Sequence, residues 1–330
     1  MKNFLKVTAI YAAFFLSFGN YASAATEQKL TWAGCGISKN AFMAEMAAAY
    51  KKKTGIEIDF KGGGATKGIR QVSSHEVDIG GTCRHLIEDT ETLTTVPEER
   101  RVQLTPVGWD ALVVIVHKGN PVENVTIEQI RDIYTGKLTN WKQIGGRDAP
   151  IELYVRKGKI SGVGRTLREL VFNNYDQEFV AKYVVEESSN LEKDMVSNPN
   201  GMGITGISSA RKIQDIAKIL KLDGKEPTYD NIKSGAYLLY RPLYMVTHMQ
   251  EKNPEVRKFL AFVMGSEGKE VMRKAGTVPY EDGIQLWLKY LDQQNKAIAK
   301  QRQQAGLPVS KTIPKSKLSN KVQKDQISAR

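Results

Sequence analysis

Near its N-terminus the chain carries three successive strand-to-loop units, and these constrain the fold more than any other feature. Lys29–Ala33 runs into Gly34-Cys35-Gly36. Ile56–Phe60 runs into Lys61-Gly62-Gly63-Gly64-Ala65-Thr66-Lys67-Gly68. Val77 and Ile79, with Asp78 between them, run into Gly80-Gly81-Thr82-Cys83-Arg84. Helical periodicity follows the first two loops, over Ala41–Tyr50 and from Ile69 and Val72 onward. Strand, small-residue loop and helix in alternation predict an α/β architecture, whose loops gather at the carboxyl edge of one sheet, where open sheets bind ligands. Glycine lets the backbone come close to a ligand. Ser38 is placed to cap the first helix, leaving free N–H groups that favour an anion, and Arg84 offers a planar fork suited to an oxyanion. The glycine run is no nucleotide P-loop, because the GxxxxGK[ST] order is absent. Taken alone, it is more often a simple turn.

The length of 330 residues suits two lobes rather than one small core. A formal charge of +12 admits an anionic partner. No aromatic-rich basic stripe accompanies that charge, so no nucleic-acid partner is expected. Lys2 and Lys6, the apolar run Val7–Phe18 and Ala22-Ser23-Ala24 read as a cleavable signal peptide over residues 1–24. The apolar run is shorter than the ~20 residues of a membrane span. A periplasmic location follows as the expectation.

Val102–His117 reads as two strand-like pieces around Trp109-Asp110. Thr126-Ile127-Glu128-Gln129 is a capping box that opens a helix. The stretch Val107–Val122 (VGWDALVVIVHKGNPV), followed by Tyr134-Thr-Gly-Lys-Leu-Thr-Asn-Trp141, resembles the phosphate-binding, PstS-like family of periplasmic substrate-binding proteins of ABC transporters. The likeness covers roughly Lys29–Lys289. It implies a type II periplasmic-binding-protein fold: two α/β lobes, two hinge-crossing strands and a solute held in the cleft. Val107–Val116 would make the first crossing and Ala236–Val246 the return. Lobe one would comprise residues 25–110 and 240–300, and lobe two residues 111–239. Gly276-Thr-Val-Pro-Tyr280 resembles the family's C-terminal signature.

The same resemblance implies the ligand set. From lobe one come Gly36, Ser38, Lys39, Gly64, Ala65, Thr66, Thr82, Cys83 and Arg84; from lobe two, Arg156, Ser161, Gly162, Val163 and Arg165. Val163 stands where the family has threonine, and Thr205 replaces the usual tyrosine of another family strand. Some phosphate binders of the family hold a carboxylate where Cys83 stands. Asp110 could supply that proton acceptor from the hinge, or could equally pair with an arginine of the cleft. An exported chain with two cysteines favours a Cys35–Cys83 disulfide, worth about 4 kcal/mol in the loop-entropy model. The alternative is a thiol site for a soft ion, a metal or trivalent arsenic, with His85 as a further partner. Otherwise His75, His85 and His248 read as surface histidines.

No metal-ligand cluster and no activated nucleophile are legible, so the chain reads as a non-enzyme without a cofactor or metal. The expected partners are a small inorganic oxyanion, foremost phosphate, and an ABC permease, with the protein acting as a monomer. A periplasmic sensor or scavenger of a thiophilic ion is the competing function. From Gln301 the apolar period fails, and residues 301–330 read as a basic disordered tail.

Overall fold

A computed structural model describes residues 29–309. The expected signal peptide and most of the expected tail lie outside the described residues. The first unit is β1 (Lys29–Gly34), then α1 (Gly36–Ser38), a π-turn (Lys39–Met43) and α2 (Ala44–Thr54). Gly55 ends this helix at φ +80°, a left-handed position that suits glycine. Next come β2 (Glu57–Lys61), α3 (Gly64–Ser73) and β3 (Ile79–Thr82). The three strands are parallel, with β1 central: Trp32 faces Phe60 on one side and Ile79 on the other. All three loops therefore leave from one edge of the sheet. Asp78 ties the strand starts together by accepting from the Thr31 amide and hydroxyl, each at 2.7 Å.

The long element β4 (Val102–His117) is a single strand rather than the two pieces that the sequence suggested. Beyond it lie β5 (Asn124–Val125) and α4 (Ile127–Tyr134), opened by the capping box: Gln129 N–H donates to Thr126 Oγ1 at 3.0 Å, and Thr126 N–H to Gln129 Oε1 at 2.8 Å. The chain continues through β6 (Glu152–Arg156) and α5 (Gly162–Leu167), which a π-turn (Arg168–Phe172) extends. Then follow β7 (Tyr183–Val185), α6 (Ser188–Val196), β8 (Gly201–Gly206) and α7 (Ile207–Ala210). The strands β9 (Ala217–Ile219) and β10 (Lys221–Leu222) and the helix α8 (Tyr229–Ser234) precede β11 (Tyr240–His248). The last elements are α9 (Pro254–Met264), α10 (Ser266–Lys274), β12 (Val278–Pro279) and α11 (Leu286–Gln304).

The two lobes share β4. Its first part, Val102–Ala111, pairs antiparallel with β11, which also pairs with β3 of the first sheet. From Leu112 its partner changes to β8, beside which β6 and β7 lie parallel. Pro106 has no N–H to give the ladder, and next to it the register skips Val107 opposite Leu243 and Tyr244. The interior of β4 from Val107 to Val116 is buried throughout, as expected of a strand covered on both faces.

The chain past Gln301 departs from expectation. Gln301–Gln304 belong to α11, and their polar side chains find partners on other segments. Arg302 donates to the carbonyls of Thr90 and Glu91, and Gln301 to Asp176 at 3.2 Å. A segment without an apolar period is held here by hydrogen bonds that local pattern cannot reveal.

Candidate functional site

The site lies where the first loop, the third loop, the hinge and the N-terminus of α5 converge. Cys35 is the cap of α1, the role that the sequence suggested for Ser38. Its backbone is extended (φ −73°, ψ 144°), and its sulfur accepts the Ser38 amide at 3.3 Å and lies 3.0 Å from the Ser38 hydroxyl. Ser38 itself is buried inside the first turn. The expected disulfide is not present: Cys35 and Cys83 are free, buried thiols. The two thiols end the neighbouring strands β1 and β3, where Cys35 N–H donates to the Gly81 carbonyl at 3.0 Å, but the Cys35 sulfur is turned toward the helix N-terminus that it caps. Burial pushes the Cys35 thiol up, yet the neighbouring Cys83, the hydrogen bonds with Ser38 and the charge of Arg241 outweigh it and bring the thiol down to about 6. Its neighbour Cys83 is pushed well up, first by the Cys35 thiol and then by burial.

Above the thiols sits Arg241 of β11, which is fully buried. It touches Asp110 at 3.3 Å through Nη2, while Nε and Nη1 have no partner. A buried guanidinium with unused donors is costly unless something occupies them. Asp110 is buried as well, which raises its carboxyl, and it also accepts from the Ser208 amide at 3.4 Å. Of the two roles open to Asp110 in the sequence, the structure shows the pairing with a cleft arginine. From lobe two, Arg156 donates through Nη1 to Ser188 at 2.6 Å and through Nη2 to the Glu186 carbonyl; its Nε is buried and unpartnered. Both thiols act electrostatically on Arg156 and on Arg241.

The N-terminus of α5 closes the site from the far side. Ser161 caps it, with Gly164 N–H donating to the hydroxyl at 3.3 Å. Gly162 packs against lobe one so tightly that a Cβ there would meet Cys83 Sγ at 2.5 Å and the Ala65 Cβ at 3.1 Å. Val163 is buried behind it. Hydrogen bonds tie the lobes together around this contact: Thr66 Oγ1 to the Ile160 carbonyl at 2.8 Å, Thr166 Oγ1 to the Cys83 carbonyl at 3.2 Å, and Asn40 to Ser209 at 2.9 Å.

Several expected ligand residues are placed for other work. Every donor of Arg84 is committed: Nη1 and Nη2 grip the Glu99 carboxylate at 3.0 and 2.7 Å, Nη1 also reaches the His85 carbonyl, Nη2 reaches Thr66, and Nε reaches the Ile160 carbonyl. It is an interlobe strut, not a free fork. Arg165 stacks on Tyr175, 3.8 Å from the ring centre, away from the thiols. Lys39 is exposed and lies over Phe60. The Thr82 hydroxyl folds back on Arg84, accepting its amide at 3.3 Å. Gly36 is exposed at the first turn, and Gly64 holds φ +76° where α3 begins.

Two histidines expected at the surface are not there. His248 is buried and its ring lies 3.7 Å from that of His75. His85 turns from the thiols toward Tyr175 (3.2 Å) and Glu169 (3.4 Å), so it is no third ligand to a soft ion. Among the described residues, no group of three His, Cys, Asp or Glu could hold a metal. Arg241 was the residue that sequence reasoning missed. Its signal was present, an arginine inside the otherwise apolar and aromatic run Tyr237–Val246.

Comparison with known proteins accords with this geometry. The family model of the PBP superfamily domain matches residues 19–267. The chain belongs to the PBP superfamily, on its PstS-like side, and has the two-lobed fold of periplasmic binding proteins. Among its relatives, the phosphate-binding protein PstS of Bacillus subtilis is 26% identical, over 80% of this chain and 86% of that protein. PstS of Borreliella burgdorferi is 24% identical, over 76% and 89%. A solved structure from Clostridium perfringens, described as a phosphate ABC transporter substrate-binding protein with bound phosphate, is 27% identical. It superimposes with a TM-score of 0.68 over 76% of this chain and 99% of that one. An ABC-type phosphate transport receptor from Vibrio cholerae is 26% identical, with a TM-score of 0.58 over 76% and 100%.

Proposed function

We propose that this protein is a periplasmic solute-binding protein that captures phosphate or a similar oxyanion between its lobes and delivers it to an ABC permease. The observation that carries the reading is Arg241, a fully buried guanidinium whose Nε and Nη1 lack partners; the charges of the same two thiols act on Arg156, whose Nε is unpartnered as well. An anion there would meet two charge-assisted donors before any other contact. The N-termini at Cys35–Ser38 and Ser161–Gly162 add backbone N–H groups from opposite lobes. Gly36, Ala65, Thr66, Thr82, Cys83 and Val163 would shape the pocket wall.

In this reading lobe one comprises residues 25–110 and 240–300, lobe two residues 111–239, and the lobes close on the solute. The relatives carry the names of phosphate-binding proteins and a transporter substrate-binding protein, which supports a non-enzyme. The apolar run before Ala25 supports export, and none of the helices among the described residues is long and apolar enough to cross a membrane. Calorimetry on ligand-stripped protein, titrating phosphate against sulfate, tests the reading. Saturable heat with phosphate is expected; no heat with any tetrahedral oxyanion overturns it.

A further inference from the structure

The oxyanion reading leaves the two thiols unexplained. A thiol is a weak hydrogen-bond donor, so two sulfurs facing a pair of arginines serve phosphate poorly. Sulfur does favour soft electrophiles. We propose that Cys35 and Cys83 together form a dithiol site for a neutral oxyacid of a trivalent, thiophilic element, with arsenous acid, As(OH)3, as the defining probe. The proposal rests on the same interlobe cleft as the oxyanion reading and changes what the cleft bonds.

Four observations converge on this class of ligand. The two thiols end the neighbouring parallel strands β1 and β3, with Cys35 N–H on the Gly81 carbonyl at 3.0 Å, and both are free and buried. Arg241 and Arg156 outnumber Asp110, which opposes a bare soft cation. Among the described residues no third metal-ligating side chain completes a cage, and His85 faces Tyr175 and Glu169 instead. The unpartnered Nε and Nη1 of Arg241 call for an oxygen on whatever the sulfurs hold. A trivalent arsenic centre meets these demands, bonding two sulfurs and keeping one oxygen for the guanidinium.

The chemistry balances without an oxidant or reductant. Two S–As bonds form and two As–O bonds break; one leaving hydroxide takes from solvent the proton that Cys35 released on ionising, the other takes the Cys83 proton, both depart as water, and arsenic stays trivalent. Cys35, whose thiol is brought down to about 6, attacks first as a thiolate. Cys83 keeps its proton until the second hydroxide leaves.

Native mass spectrometry of the full chain, reduced with a phosphine and mixed with arsenous acid, tests the proposal. The expected result is one adduct whose mass gain equals As(OH)3 less two waters, with both thiols lost from a thiol count. An adduct that has lost one water or none, no adduct at millimolar acid, or a Cys35–Cys83 disulfide that resists the phosphine overturns it. Cys35→Ser and Cys83→Ser should each weaken binding by about 100-fold or more, the loss expected when one arm of a two-point attachment is removed. Should either variant fail to fold, the mass readout on the unaltered chain still decides. Phosphate calorimetry on the same sample separates the two readings. Phosphate heat without the arsenic adduct removes the dithiol site and leaves the oxyanion reading; the adduct without phosphate heat does the reverse.

Discussion

Arg84 and Arg241 are both buried arginines, 1% and 0% exposed, and they could hardly be used more differently. Arg84 spends five donor contacts on Glu99, Thr66 and the carbonyls of His85 and Ile160. Arg241 makes one contact, a 3.3 Å bond to Asp110, and leaves Nε and Nη1 idle. A saturated buried charge is part of the frame. An unsaturated one is costly until something accepts from it, which is why Arg241 carries the proposed oxyanion reading. Arg84 also reaches the distant Ile160 carbonyl through Nε at 3.1 Å.

The largest effect should come from the frame. Arg84→Ala strands the buried Glu99 carboxylate and should cost about 3–5 kcal/mol of stability, read as a lowered denaturant midpoint. A loss below about 1 kcal/mol would mean that Glu99 finds other partners and the contrast between the arginines is false.

Arg241→Gln should act on binding instead. Two lost charge-assisted bonds at about 1.5–3 kcal/mol each imply phosphate affinity weaker by at least ~100-fold in calorimetry. Stability should change little, because Asp110, its carboxyl already raised by burial, can take up a proton once the arginine is gone. Unchanged affinity would remove Arg241 from the site.

Gly162→Ala sharpens the comparison by opening the lobes without touching either arginine. The added Cβ meets Cys83 Sγ at 2.5 Å, an overlap that typically costs about 1–3 kcal/mol. The closed form should become rarer, seen as a larger radius in small-angle scattering and weaker ligand binding. A variant as compact as the parent would show that closure does not depend on this contact.

The smallest effect concerns pH and lies farther from the thiols. Burial raises the Glu169 carboxyl to about 7, against the hydrogen bond from Tyr175 at 2.7 Å and the nearby charge of Arg165. A raised carboxylate pKa contributes stability that is full below the unfolded value, about 4.3, and is lost as pH rises through about 7. His85, lowered chiefly by burial and then by Arg165 and Arg84, slopes the other way: its share is lost as pH falls below the usual histidine value. Glu169→Gln should therefore remove the loss of stability between about pH 4.3 and 7, measured as the thermal midpoint across that range. A slope that persists would place the titration elsewhere.

Much of this protein was legible in its sequence because the relevant signals are local. Alternating apolar residues marked β1 and β2, the glycines after them marked the loop edge, and Thr126 with Gln129 marked the start of α4. The stretch from Val107 read as two strand-like pieces, and it is instead one strand that pairs with β11 before Leu112 and with β8 after it. Periodicity, caps and turns act over a few residues, so residue order alone specifies them.

The division of labour within the site was decided by tertiary structure. Whether an arginine is saturated depends on acceptors far away in the chain: Glu99 and Ile160 for Arg84, Asp110 for Arg241. No local pattern carries that information, so the arginine with the exposed-looking loop sequence became the strut and the one inside an apolar strand became the candidate ligand. The thiols follow the same rule. Two cysteines in an exported chain suggest a bridge, but hydrogen bonds from Ser38 turn the Cys35 sulfur toward its own helix and leave both thiols free beside the guanidinium.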